Sequence, residues 1–97
     1  MDDGRLLDAL LRAARGLGVA VRVERFETPA LGAGASCRLR GERLVLIDAG
    51  APLPDQVRAL ARALAEGETD AVFMVPEARE AVEALRRADA ARAPSSG

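Results

Sequence analysis

The apolar period of this chain changes from between three and four residues to two, and then changes back. Leu6, Leu10, Ala13 and Leu17, with Leu7, Leu11 and Ala14 beside them, recur at helical spacing, while Asp8, Arg12 and Arg15 fall on the opposite side. From Val19 onward Val19, Val21 and Val23 alternate with Ala20, Arg22, Glu24 and Phe26, the period of a strand with one face on a core. A chain that switches period in this way needs both helices and a sheet, each hiding its apolar side against the other. At 97 residues there is material for a single modest core, so residues 1–93 are expected to form one α+β domain and 94–97 a flexible C-terminal tail.

The first helix is expected over 3–16, with Asp2 and Asp3 at its positive end and Gly16 or Gly18 taking the left-handed conformation that stops it. Residues 27–34 have loop composition. Two extended runs, 35–40 and 43–48, flank Gly41-Glu42, which fits a type II′ hairpin turn. That turn sets Arg40 opposite Arg43, Leu39 opposite Leu44 and Cys37 opposite Leu46. Pro54 suits the first position of a second helix with Val57, Leu60, Ala61 and Leu64 inward. A short strand over 71–75 and a third helix opening at Pro76 complete the elements. The fold expected is a small antiparallel sheet of about three strands on two to three helices. Its core is Leu6, Leu10, Val21, Val23, Leu39, Leu44, Leu46, Val57, Leu60, Leu64, Val82 and Leu85.

Function is constrained mainly by the side chains that do not occur. There is no histidine, lysine, tyrosine, tryptophan or asparagine, and one cysteine. General-base chemistry near neutral pH, Schiff bases and closed zinc sites draw on those groups, so no catalytic residue, metal site or cofactor is expected. Cys37 falls among leucines in the hairpin register and is expected to be a buried, inert thiol. Gly32-Ala-Gly34 is an isolated Gly-x-Gly without the context of a phosphate cradle. Asp48, Asp55, Glu66, Glu68 and Asp70 lack the spacing of a calcium loop and suit caps and turns.

Fourteen arginines against fifteen acidic residues leave a net charge of -1, so no global field draws the chain to nucleic acid or to a membrane. The acidic start, Met1-Asp2-Asp3-Gly4, and the absence of a long apolar run point to a cytoplasmic protein, and the Ala, Arg, Gly and Leu excess to a GC-rich coding bias. The hairpin's second face collects Arg38, Arg40 and Arg43 with Val45 and Ile47, and this is the candidate interface. Two readings of it stand open: it meets a second copy or another protein, with a free strand edge contributing, or the third helix covers Val45 and Ile47 as ordinary core. The functional expectation is a non-enzymatic interaction or accessory module, homodimeric or acting on a protein partner. The alternative is a nucleic-acid-binding regulator using the arginine face.

The order of helix, Gly-Val strand, Gly-rich loop, hairpin with Leu44-Val-Leu-Ile-Asp48 and proline-started helix resembles the front half of the ImmA/IrrE-type zinc metallopeptidase domain. The resemblance covers about residues 16–66. It sets Leu60-Ala61-Arg62-Ala63-Leu64-Ala65-Glu66 on the family's Leu-Ala-His-Glu-Leu-Gly-His helix. Arg62 then stands at the first metal-binding histidine, Ala63 at the catalytic glutamate and Glu66 at the second histidine, so the resemblance implies a scaffold without catalysis, kept for binding. The chain is also similar to short bacterial proteins on the same plan, whose resemblance implies no activity.

Overall fold

In a computed structural model describing residues 1–27 and 32–92, the elements in chain order are α1 (Asp3–Gly16), β1 (Ala20–Glu24), β2 (Gly34–Leu39), β3 (Glu42–Asp48), α2 (Leu53–Ala65) and α3 (Pro76–Arg92). The tail expected at 94–97 and the middle of the loop expected over 27–34 lie outside the described residues. The α+β class holds. The sheet, however, is mixed: its order is β1-β3-β2, with β1 parallel to β3 and β2 antiparallel to it. β3 takes the centre because Leu44-Val45-Leu46-Ile47 is apolar on both faces, whereas each flanking strand carries polar residues.

The helices begin and end for local reasons. Asp2 Oδ1 accepts a hydrogen bond from the Arg5 N–H at 2.9 Å, capping α1, and Gly18 at φ 74° turns the chain out of the helix. α2 starts one residue before Pro54, behind Pro52. The run 71–75 is not a strand. Met74 is buried and Val72 packs on the core, while the carbonyl of Val72 accepts a hydrogen bond from Arg79 Nη2 at 2.9 Å, a side-chain partner instead of a neighbouring strand.

The hairpin turn is Arg40-Gly41, with φ of 55° and 81°, the type I′ pattern of two positive φ values, and not the type II′ turn at Gly41-Glu42. The pairing therefore moves by two residues: Leu39 faces Glu42, Arg38 faces Arg43, Cys37 faces Leu44 and Ser36 faces Val45. A shift of two keeps each side chain on its expected face.

What changes is which face is inside. Val45 and Ile47 are fully buried beneath α2, with α1 alongside over β1. α3 packs against α2 and α1, so the covering helix is the second one and not the third. Leu39 and Val23 are exposed, and Leu44 and Leu46 are half-buried without packing on the core. Leu10, Val57, Leu60, Leu64 and Val82 are core as expected, with Leu6, Val21 and Leu85 packed against it. Leu7, Ala13, Ala14, Ala61, Ala63, Met74 and Ala78 join them. The reason for the inversion is Gly34. A Cβ there would stand 2.8 Å from the Ala59 Cβ, so α2 can come down on β2 only where β2 has no side chain. That contact commits the Gly34, Ser36, Val45 and Ile47 face to the helices.

Candidate functional site

The arginines and branched residues expected to share one interaction face do not form a free surface. Val45 and Ile47 belong to the core. Arg43, on the same face, reaches the end of α2, where its Nη2 donates to the Ala63 carbonyl and pairs with Glu66 Oε1 at 2.9 Å. The last carbonyls of a helix have no partner within it, and a guanidinium fork meets them well. Arg86 does the same from α3, donating to Ala65 O at 3.3 Å and Gly67 O at 2.9 Å while pairing with Glu83. Arg38 and Arg40 are exposed near the hairpin tip, where Arg38 Nη1 lies 3.5 Å from Gly41 O.

Two surfaces remain that the core does not use. The first is the sheet face turned away from the helices. Alternation across the ladders places Ala20, Arg22 and Glu24 of β1, Leu44 and Leu46 of β3, and Ala35, Cys37 and Leu39 of β2 on it. Leu39 is 60% exposed, and Cys37, expected to be buried, is an exposed free thiol. Arg22 and Glu24 pair at 3.0 Å along the β1 margin, where water screens them. The middle of the face is thus apolar and its margin is charged.

The second surface is the groove between the outer edge of β2 and α2. It encloses about 480 Å³ and is lined by Gly32 to Ser36 with Asp55, Arg58 and Arg62 of α2 and Glu66 just past its end. It continues past Ser36 toward Arg38, Arg43 and Gly67. Arg62, Ala63 and Glu66, the positions that the metallopeptidase resemblance sets on metal ligands and base, all line it. Ala63 is buried, Glu66 is held by Arg43, and Arg62 lies 3.7 Å from Asp89 Oδ1. Sequence spacing alone did not single out this groove, because it depends on how closely α2 sits on β2.

Of the acidic positions expected at caps and turns, Asp48 has the clearest structural role. Its Oδ1 accepts hydrogen bonds from the N–H groups of Phe26 at 3.0 Å and Gly50 at 2.9 Å, tying the ends of β1 and β3 together. The Phe26 bond and then the Gly50 bond hold its carboxyl below the usual range against the opposing effect of desolvation, with the charge of Arg25 adding least. Among the described residues no three His, Cys, Asp or Glu side chains converge as metal ligands do, and no helix is long and apolar enough to cross a membrane.

Comparison with protein-family models, curated proteins and solved structures found no match.

Proposed function

We propose that this chain is a non-enzymatic protein-interaction module whose working surface is the uncovered face of its sheet. The observation that carries the reading is one-sided coverage: the helices lie on the Val45 and Ile47 face, while Leu39, Leu44, Leu46 and Cys37 stand on the other without packing on the core. Exposed apolar groups with a charged margin are what a partner's surface excludes from water. The side-chain inventory supports the non-enzymatic half of the reading, since there is no histidine or lysine and the only thiol stands on this face.

The partner that fits is an amphipathic helix of another protein. Strands lie about 4.8 Å apart and rise about 3.3 Å per residue, so the face measures roughly 15 by 20 Å. A helix about 10 Å wide and about 13 residues long matches those dimensions. The sheet's opposite face already takes α1 and α2 in the same manner.

The test is a capture experiment from the source cells with wild type and a Leu44→Glu, Leu46→Arg variant, followed by reconstitution from purified components. The reading requires a stoichiometric protein partner that wild type retains and the folded variant loses. A partner held equally by both, or a variant that unfolds because the face was structural, overturns it.

A further inference from the structure

β2 is an edge strand whose first four residues lack the features that usually protect an edge, its one charge being Arg38 near the hairpin tip. Protected edges carry charges, prolines or bulges that discourage pairing with another chain. The stretch Gly34-Ala35-Ser36-Cys37 has none of these, in contrast to β1, which carries Arg22 and Glu24. The hydrogen-bond phase defines what this edge offers. Asp48 donates its N–H to the Ala33 carbonyl at 2.8 Å, and the register continues with Ala35 opposite Leu46 and Cys37 opposite Leu44. In an antiparallel ladder these are the pairs that exchange hydrogen bonds, so Gly34, Ser36 and Arg38 turn their N–H and C=O groups outward.

We propose that this edge pairs antiparallel with β2 of a second copy about a twofold axis at Ser36, joining two sheets into one of six strands. Outward groups can bond only outward groups, which restricts the registers to those that pair Gly34, Ser36 and Arg38 among themselves. Centring on Arg38 would set two guanidinium groups face to face, centring on Ala35 or Cys37 would leave Arg38 or Gly34 without a partner inside the strand, and centring on Gly34 would leave most of the strand unpaired. With the axis at Ser36, the partner's Gly34 faces Arg38 and the whole strand is used.

Charge on α2 agrees with this register. Gly34 lies level with Ala59, and Arg43, the cross-strand neighbour of Arg38, lies level with Ala63 and Glu66. A twofold that exchanges Gly34 and Arg38 also exchanges those levels. It brings Arg58, which has no carboxylate partner among the described residues, level with the partner's Glu66, and does so twice. Pairing would also make the two uncovered faces continuous. One face of roughly 15 by 20 Å falls short of the ~800 Å² per partner of a standard interface, and doubling it closes most of that gap. This use of the joined face rests on the function proposed above; the edge pairing itself does not.

In the proposed register, position 35 of one copy stands opposite position 37 of the other in a non-hydrogen-bonded pair. Such pairs have Cα atoms about 4.5 Å apart, within disulfide range. The experiment mixes wild type, whose thiol is Cys37, with an Ala35→Cys, Cys37→Ser variant in a glutathione redox buffer. One protein thiol from each copy is oxidised to the disulfide as one glutathione disulfide is reduced to two thiols. The covalent heterodimer should exceed the share that random pairing gives, and light scattering on reduced wild type should show a dimer. Ser36→Pro, which removes an outward N–H, should shift that dimer toward monomer. A monomer at all concentrations, or cross-linking with no preference for the 35 to 37 pair, overturns the proposal. The Leu44→Glu, Leu46→Arg variant should still form the edge cross-link, so failure of the face reading and failure of the edge reading give different results.

Discussion

Protonation of Asp48 bears directly on the fold, because one carboxylate oxygen holds the backbone of Phe26 and Gly50 at once. Its carboxyl titrates lower in the folded than in the unfolded chain, chiefly through the Phe26 hydrogen bond and then through that of Gly50. The unfolded state therefore takes up its proton first as pH falls, and stability must fall with it. The contribution is complete above the ordinary carboxylate value of ~3.9 and disappears as pH drops through that value to the lower folded one. Thermal melts between neutral and strongly acid pH should show a decline in this window that is shallower in Asp48→Asn, with a lower melting temperature for the variant at neutral pH. At the same scale, Arg40 explains the misplaced turn. A non-glycine residue at positive φ is uncommon, so the dipeptide Gly41-Glu42 looked like the turn and Arg40 did not. Cys37 was misplaced for another reason: alternation fixes that it sits with Leu39 and Leu44, but not whether that side faces the helices.

At the level of elements, α2 is the hub. The sheet, α1 and α3 all pack on it, and its C-terminal carbonyls are met by arginines from two directions. Removing a charged donor from such carbonyls leaves them without a protein partner, so Arg43→Ala and Arg86→Ala should each destabilise the fold by about 1 to 3 kcal/mol. Lysine should restore only part of the loss, because a single ammonium cannot reproduce the planar fork. Chemical denaturation of the four variants checks this, and equal recovery by lysine would show that charge alone matters. The helices were legible from period, capping residues and prolines, since these are local. The strand expected over 71–75 was not, because Val-Phe-Met-Val has strand-like composition while its backbone partner is a side chain of α3.

For the whole molecule, the decisive fact is which side of the sheet the helices cover, and neighbouring residues of β3 report it. Ile47 is fully buried and Leu46 stands on the opposite face. Ile47→Ala should cost about 3 kcal/mol through lost burial and a residual cavity, and Leu46→Ala under about 1 kcal/mol. Urea unfolding of the two variants distinguishes the faces, and a reversed order would mean the sheet is inverted. Sequence alone determined the α+β class, the three helices, the hairpin and the partition of residues between its two faces, because periodicity and turn chemistry are properties of neighbouring residues. It could not decide which face is core, since Leu44 to Ile47 is apolar on both sides and offers no contrast. That decision came from a contact distant in sequence, the approach of Ala59 to Gly34, where the missing side chain lets α2 lie on one face. The same contact placed the groove, turned Arg43, Val45 and Ile47 of the expected interface inward and left the leucine face open.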